Sequence, residues 1–183
     1  MSNYGKLLNN LSTLKLFRIK DKLDEYIDLI NTNKKDVVDS LYELTNLEID
    51  VMNEKKIKHS IQFAGFPFYK TFADFDFSFQ PSINKDEILD FRNLRFIDKA
   101  ENILFVGSPG VGKTHLATAI GIENAKSNHS TYFTNCNDLI QSLKKAFLQN
   151  RLDDKLKTLS KYKLLIIDEV GYLPIDIEAA NML

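Results

Sequence analysis

The sequence is poor in the features that mark secreted, metal-bound or membrane-spanning proteins. One cysteine, Cys136, occurs among 183 residues, which excludes an internal disulfide and leaves a cysteine-based metal cluster without support. The longest apolar runs, 103–106 and 164–167, are far shorter than the ~18 residues that a membrane helix needs. The N-terminus places asparagines among its leucines and does not resemble a secretory signal. We therefore expect a cytoplasmic protein with no membrane partner.

No charge of one sign dominates either. The chain has 24 Lys and Arg against 25 Asp and Glu, a net charge of −1 with histidine neutral. This balance argues against a strongly basic nucleic-acid-binding protein and an acidic tail, although it allows a local basic patch. With 44% hydrophobic and 27% charged residues, the composition is that of an ordinary globular protein and argues against general disorder.

Residues 1–65 are predicted to form a small all-α domain. Apolar residues recur at helical spacing in three successive segments. We assign Asn33 as the N-cap of the third helix, with Asp36 placed where a negative charge favours the helix dipole. Gly65 and Pro67 end that helix, because glycine suits a helix C-terminus and proline cannot continue one. No sustained heptad is present, which favours a helical bundle over a coiled coil.

Residues 99–183 alternate predicted strands and helices. The strands are expected at 103–106, 131–134 and 164–167, and the helices at 114–126, 137–149 and 152–161. Such alternation is typical of the α/β class, in which a mostly parallel sheet carries helices on both faces. We therefore predict an α/β fold with a parallel sheet for this part of the chain.

A glycine-rich loop between the first of these strands and the first helix carries the strongest signal. It consists of Gly107, Ser108, Pro109, Gly110, Val111, Gly112, Lys113 and Thr114. The loop matches the phosphate-binding pattern G-x-x-x-x-G-K-[ST] at every fixed position, in the strand-to-helix context that the pattern requires. Glycines let successive backbone N–H groups point at phosphate oxygens, and the following helix adds its positive end. Lys113 is then expected at the β- and γ-phosphates, and the Thr114 hydroxyl at Mg²⁺.

Two acids follow the last predicted strand. The apolar run 164–167 leads directly into Asp168 and Glu169, which is unusual for a buried strand unless its end requires negative charge. Asp168 is a candidate for holding Mg²⁺ through water, and Glu169 for orienting and polarising an attacking water. The adjacent glutamate favours hydrolysis over phosphoryl transfer to an acceptor, because it has a role only when water attacks.

The intervening residues 66–98 form a connector rich in aromatic residues. The stretch 74–79 alternates strictly, so its three phenylalanines share one face if the segment is extended. Two interpretations stay open: an extended connector packed onto a domain, and part of a nucleotide-base pocket or subunit contact. A short helix follows, with Asn84 as its cap and Glu87 at the capping-box position.

Two weaker features also allow two interpretations each. His115 follows the loop threonine, and we favour a helix-surface or packing role over a catalytic one. A local basic cluster late in the N-terminal helices contains Lys55, Lys56, Lys58 and His59. A solvated helix face is the favoured interpretation of this cluster, and a contact with DNA phosphates is the alternative.

The stretch 102–116, which closes with Lys-Thr-His-Leu-Ala, resembles the IstB-like ATP-binding proteins, the helper ATPases of insertion-sequence transposition. These are similar to the DnaC-type helicase loaders. The likeness extends to the aromatic motifs within 66–77 and to the second acidic motif, Asp-Glu-Val-Gly-Tyr-Leu-Pro at 168–174. The resemblance covers nearly the whole chain and is weakest over the first 45 residues.

This resemblance implies a P-loop NTPase core of the AAA+ type, with ATP and Mg²⁺ as ligands, behind a small helical N-terminal domain. It also implies that subunits assemble as a homo-oligomer on DNA and activate a transposase. The basic cluster at 55–59 is thinner than the arginine-rich stretch usual in the family. The chain also ends at Leu183, before the sensor, the arginine finger and two further strands. We therefore expect a truncated copy, an AAA+ core incomplete at its C-terminus, with the strand at 103–106 lacking both usual neighbours.

Three functional hypotheses follow. The leading one is an ATP-binding transposition helper that carries ATPase motifs, with hydrolysis by this chain left unassigned because of the expected truncation. The second is a DnaC-like replicative helicase loader, which the motifs barely separate from the first. The third is a non-catalytic interaction module with a vestigial nucleotide site.

Overall fold

The structure, a computed structural model, describes residues 2–81 and 83–171. The chain divides into two compact units, one ending at Lys56 and the other beginning at Ile57. Within the described residues, none of the helices combines the length and the apolar character that a membrane crossing requires. The acidic motif is described only as far as Gly171, so its last three residues, 172–174, lie outside the described part.

The first unit is helical, as its apolar spacing predicts. Its helices are α1 (Asn3–Thr13), α2 (Phe17–Asn31) and α3 (Val37–Phe63), and the division between the two units falls within α3. Leu11 of α1 and Leu44 of α3 are buried among them. Gly65 follows α3 with a φ of +81°, the left-handed conformation that makes glycine suitable for ending a helix.

The predicted N-cap of α3 was wrong. Asn33 lies in the preceding turn with a φ of +50°. Asp36 takes the capping position instead, since its carboxylate accepts a hydrogen bond from the Val38 backbone N–H at 2.7 Å. An aspartate directly before the helix satisfies one of the free N–H groups of the first turn, which Asn33 lies too far upstream to do.

The second unit carries the sheet. Its helices are α4 (Lys85–Asp90), α5 (Arg95–Asp98), α6 (Lys113–Lys126), α7 (Cys136–Leu148) and α8 (Leu152–Leu159). Its strands are β1 (Thr131–Asn135) and β2 (Leu164–Asp168). The Asn84 side chain caps α4 by accepting from Asp86 and Glu87 N–H groups, so the predicted cap is confirmed. The helices predicted after the loop and both of these strands are confirmed to within a few residues.

The two strands pair in parallel, with Thr131 opposite Leu164 and Asn135 opposite Asp168. Helices cover both faces of this small sheet. Leu164 belongs to a core cluster with Leu116 of α6, whereas Ile167 packs against Cys136 and Ile140 of α7. Because successive side chains of a strand point to opposite faces, α6 and α7 lie on opposite sides of β2. This layering agrees with the predicted α/β class in its coarse form.

The other edge of β1 is covered by the segment that follows α3. The backbone N–H of Phe133 donates to the Ala64 carbonyl at 2.7 Å. A Cβ added to Gly65 would come within 2.9 Å of the Phe133 carbonyl oxygen, so this close approach requires glycine. The contact gives β1 hydrogen bonds on both sides and protects an edge that would otherwise be open.

The predicted strand at 103–106 was wrong as an assignment of secondary structure. Ile103 and Phe105 pack against the core cluster, while Leu104 and Val106 are 81% and 85% exposed. The burial alternates as it would along a strand, but among the described residues no neighbour pairs with this segment. A strand is stabilised by hydrogen bonds to a partner, so an apolar alternating segment alone does not form one.

The connector does not extend as one strand either. Its stretch 72–79, which includes the alternating residues, forms two single turns of 3₁₀ helix, at Phe72–Asp74 and Phe77–Phe79. The Asp76 carboxylate accepts from the Ser78 N–H at 2.9 Å, and the Asp74 carboxylate accepts from the Thr71 N–H at 2.7 Å. These side-chain bonds to the backbone compete with an extended conformation. The rings consequently separate: Phe75 and Phe77 are half-buried and in contact, whereas Phe79 is 69% exposed.

Candidate nucleotide-binding site

The glycine-rich loop leads from the unpaired segment at 103–106 into the first turn of α6. Gly110 and Gly112 have φ angles of +81° and +93°, in the left-handed region that other residues rarely adopt. These two glycines let the chain reverse tightly before α6 begins at Lys113. The N-terminal end of this 14-residue helix therefore faces the loop, with its first N–H groups not committed to intrahelical bonds.

Lys113 folds back onto the loop that precedes it. Its Nζ donates to the carbonyl oxygens of Gly107 at 2.9 Å and Ser108 at 2.8 Å. The ammonium group is thus held at the beginning of the loop, although its Cα lies at the other end. This arrangement keeps the positive charge beside the same turn of backbone that the sequence pattern associates with phosphate.

Thr114 and Asp168 meet across the two halves of the predicted site. The Thr114 hydroxyl donates to the Asp168 Oδ2 at 2.8 Å, although 54 residues separate them in the chain. Asp168 ends β2, at the edge of the sheet where the carboxyl ends of both parallel strands lie. Its other oxygen accepts from the Glu169 backbone N–H at 3.0 Å. The sheet and α6 together therefore bring the loop threonine and the strand-end acid into one place.

Glu169 continues the chain away from the strand. Its backbone has a φ of +59°, and the residue is exposed. This turn directly after β2 keeps Glu169 next to Asp168. Among the described residues, none donates a hydrogen bond to the Glu169 carboxylate. The structure thus places Glu169 at the same edge of the sheet as Asp168, and its predicted role with water remains a prediction.

The connector contacts the loop, a relationship that the sequence did not reveal. The Phe75 ring lies so close to Gly112 that an added Cβ there would be 2.5 Å from its Cε2. His115 Nε2 lies 2.8 Å from the Thr71 carbonyl oxygen, and its ring meets Phe75 edge to face with centroids 5.2 Å apart. The favoured packing role for His115 is consistent with this environment. The signal that could have revealed the contact was the clustering of aromatics, but spacing alone does not say what they pack against.

No cluster of three or more His, Cys, Asp or Glu side chains suited to a metal occurs in the described part of the chain. The two oxygen atoms that meet at the site are instead the Thr114 hydroxyl and a carboxylate oxygen of Asp168. Such hard oxygen donors fit Mg²⁺, which keeps several waters and takes few ligands directly from protein. The chemistry of Thr114 and Asp168 is therefore compatible with a hydrated magnesium ion rather than with a caged metal centre.

A glycine-rich loop that runs into a helix, beside a parallel strand ending in an aspartate, defines the P-loop class of nucleotide-binding proteins. Residues 9–183 match the family described as IstB-like ATP binding protein. This match covers more than half of the chain, so the chain belongs to that family.

Individual relatives agree with the family match. The chain is 51% identical over 181 residues to a protein of Bacillus thuringiensis subsp. berliner named as an ATP-binding protein of insertion sequence IS232. It is 41% identical over 143 residues to the corresponding protein of insertion sequence IS5376 from Geobacillus stearothermophilus. A similar protein of insertion sequence IS21 from Pseudomonas aeruginosa is 33% identical over 172 residues.

These similarities differ in how much of each protein they cover. The matches include 99%, 78% and 94% of this chain, and 72%, 57% and 65% of the respective relatives. The similarity therefore spans between 78% and 99% of this chain and about two thirds of the relatives' own lengths.

Proposed function

We propose that this chain binds ATP with Mg²⁺ as part of a helper protein of DNA transposition. Its layout in this proposal is a helical N-terminal domain at 1–65, an aromatic connector at 66–98, and an AAA+ core at 99–183. The family match and the names of the relatives, which refer to ATP binding and to insertion sequences, support the proposal.

The single observation that carries the proposal is the bond between Thr114 and Asp168. A glycine-rich turn can arise by chance, and so can an acid at the end of a strand. The 2.8 Å contact between Thr114 and Asp168 supports the proposal that the loop and the acid form one centre. A nucleotide–magnesium complex needs this combination, because the loop holds the phosphates and the acid neutralises the metal.

The residues of the proposed site have different roles in nucleotide binding. The backbone N–H groups of the loop, except at Pro109, and those at the start of α6 donate hydrogen bonds to the phosphate oxygens. Lys113, now bonded to two loop carbonyls, exchanges these neutral partners for phosphate oxygens, which form stronger charge-assisted hydrogen bonds. Thr114 and Asp168 are the residues that would hold Mg²⁺, which supplies charge neutralisation at the phosphates.

Hydrolysis is the finer part of the proposal. Glu169 is assigned to orient and polarise an attacking water, and Lys113 to stabilise the charge that develops on the phosphates. The exposed position of Glu169 beside Asp168 supports this assignment. The activity of the whole protein belongs to the proposal, because the matches cover 72% and 57% of the first two relatives.

The proposed partners are DNA, a transposase and further copies of the chain. The names of the similar proteins favour transposition over helicase loading, because each refers to an insertion sequence. For DNA, the candidate contacts are the lysines of the basic cluster in α3, which are exposed. A non-catalytic interaction module is the outcome to consider if no nucleotide binds.

Calorimetric titration of the purified chain with ATP and Mg²⁺ tests the proposal. We expect measurable binding by the wild type and a loss of roughly tenfold or more for Lys113→Ala, the order expected for a hydrogen bond to a charged group. Lys126→Ala is the matched control, since Lys126 ends the same helix and forms an ion pair with Glu123 on the surface. Unchanged affinity of Lys113→Ala would contradict the site. Absence of ATP binding by the wild type, together with a stable protein complex, would favour an interaction module.

A further inference from the structure

The turn of the connector next to the loop is held in shape by Asp74. The Asp74 carboxylate accepts from the Thr71 backbone N–H at 2.7 Å and from the Thr71 hydroxyl at 2.8 Å. This capping box closes the first 3₁₀ turn. With its N–H and hydroxyl both engaged, Thr71 presents its carbonyl oxygen in a fixed direction.

His115 takes that carbonyl as its partner. Its Nε2 lies 2.8 Å from the Thr71 oxygen, and because a carbonyl can only accept, Nε2 carries the proton. The ring is held between two aromatic side chains, edge to face with Phe75 at 5.2 Å and with Phe68 at 6.4 Å between centroids. The imidazole is therefore fixed in position by one hydrogen bond and two ring contacts, all from the connector.

The connector thus touches the phosphate loop on both sides of its two functional residues. Phe75 lies against Gly112, directly before Lys113, and Thr71 binds His115, directly after Thr114. Residues 107–110 of the loop are exposed, so the described part of the chain packs little against them. Gly110 and Gly112 give the loop backbone more accessible conformations than other residues would, so contacts from the connector help to keep one of them.

We propose that His115 is a positioning residue for the nucleotide site. Its hydrogen bond to the Thr71 carbonyl fastens the first turn of α6 to the connector and keeps the loop in the conformation that receives phosphate. This inference rests on the proposed ATP binding and deepens it. Without the bond, the first turn must be ordered when the nucleotide binds, and that ordering reduces affinity. His115 contacts no phosphate in this account and acts through Lys113 and Thr114.

Substitutions of His115 by side chains of different length distinguish the effect of the hydrogen bond to Thr71 from the effect of packing. The amide nitrogen of glutamine can occupy the place of Nε2 and donate to Thr71, whereas the shorter asparagine reaches only the place of Nδ1. We expect ATP affinity measured by calorimetry to fall about five- to tenfold for His115→Ala and for His115→Asn, the size of one neutral hydrogen bond. We expect His115→Gln to stay within about twofold of the wild type, since it keeps that hydrogen bond.

The control is His129→Ala. His129 is also half-buried and bonded once through its ring, to the Asn124 Oδ1 at 3.0 Å, but it lies beyond the far end of α6. Both alanine variants should lower the melting temperature, and only the change at 115 should weaken ATP. Because asparagine and glutamine are chemically alike, that pair decides the matter even if His115→Ala does not fold.

Equal ATP affinity of the asparagine and glutamine variants would overturn the assignment of the hydrogen bond, and so would wild-type affinity in His115→Ala. Failure of the proposed function gives a different result, since the wild type and every variant would then bind no ATP. The inference would fall with it in that case.

Discussion

The Phe75 ring occupies the place where a side chain at residue 112 would begin. A Cβ on Gly112 would lie 2.5 Å from Phe75 Cε2, a distance that non-bonded carbon atoms do not tolerate. Gly112 also has a φ of +93°. Two separate physical reasons, backbone conformation and lack of space, therefore require glycine at this position of the loop.

A comparison of Gly110 with Gly112 separates the effect of backbone conformation from the effect of limited space. Gly110 has a similar φ of +81°, but a Cβ there would meet nothing within 4 Å. We expect Gly110→Ala to lower the free energy of unfolding by about 1–2 kcal/mol, the cost of a left-handed residue with a side chain. Gly112→Ala should lose a further 1–3 kcal/mol or so through overpacking against Phe75. Urea unfolding of both variants measures the difference.

A double mutant controls this comparison. Phe75→Leu in the Gly112→Ala background should recover part of the loss, because the smaller side chain leaves room for the new methyl group. Equal destabilisation by the two alanine variants would show that Phe75 does not confine the loop.

Glu48 is expected to stabilise the first unit by capping a helix from a distance. Its Oε1 accepts from the backbone N–H groups of Arg18 at 2.6 Å and Ile19 at 3.1 Å, in the first turn of α2. Leu16, at the N-cap, provides no side-chain bond of its own, and Glu48 is only 7% exposed. We expect Glu48→Ala to cost about 1–3 kcal/mol in urea unfolding followed by far-UV circular dichroism, because two N–H groups lose their partner.

The matched control is Glu54→Ala on the same helix, where the side chain is exposed and should matter little. If both alanine variants unfolded at the same urea concentration as the wild type, the capping contact would not contribute to stability.

Lowering the pH should destabilise the 3₁₀ turn that positions the Thr71 carbonyl. Hydrogen bonds from the Thr71 backbone N–H, and then from its hydroxyl, hold the pKa of Asp74 below its usual value. A lowered pKa in the folded state means that the contribution to stability is present above the ordinary pKa of about 3.9. It is then lost as the pH falls through the lowered value.

We therefore expect the melting temperature of the wild type to fall more steeply than that of Asp74→Asn as the pH is lowered from about 5 to 3. Near neutral pH the asparagine variant should be the less stable of the two. Scanning calorimetry across this range measures both effects. Parallel pH profiles for the two proteins would contradict the role of the Asp74 carboxylate.

If the basic cluster of α3 binds DNA, it should contribute to the dependence of DNA affinity on salt concentration. If Lys55, Lys56 and Lys58 each contact a DNA phosphate, replacing all three by alanine should reduce the slope of log affinity against log salt by about 2.7. The reduction should apply to DNA of any sequence, because phosphate contacts carry no sequence information. Binding isotherms at several salt concentrations provide the slope.

Replacing the three lysines between 155 and 161, at α8 and its C-terminal turn, serves as the control for net charge. The same change of slope in both triple variants would indicate a general effect of charge. An unchanged slope in the α3 variant would leave the cluster as a solvated helix face.

Much of the fold could be predicted from local patterns. Helix α6 was expected at 114–126 and is found at Lys113–Lys126, because an N-terminal loop motif and an apolar periodicity both mark it. Strand β2 could be predicted because a short apolar run between helices is typical of a parallel sheet, and β1 because β-branched and aromatic residues, which favour strands, occupy 131–134. Where a pattern is local and strong, the sequence suffices.

The errors arose where the outcome depends on partners or on competing bonds. The segment 103–106 has the apolar character of a strand but no neighbour among the described residues to pair with. The stretch 74–79 alternates like a strand, yet its aspartates fold it into turns. Contacts such as Phe75 with Gly112 and His115 with Thr71 join distant parts of the chain, and spacing carries no information about them.

The central claim is that the loop and the acid at the end of β2 form one magnesium–nucleotide site. The most direct test is the ratio of ATP affinities with Mg²⁺ and with a chelator, measured by calorimetry for the wild type, Asp168→Asn and Thr114→Val. Asp153→Asn, exposed on α8, is the control. We predict that Mg²⁺ strengthens ATP binding to the wild type and to the control, and that both site variants lose this gain while still binding ATP without the metal. An undiminished gain from Mg²⁺ in the two site variants would contradict the account.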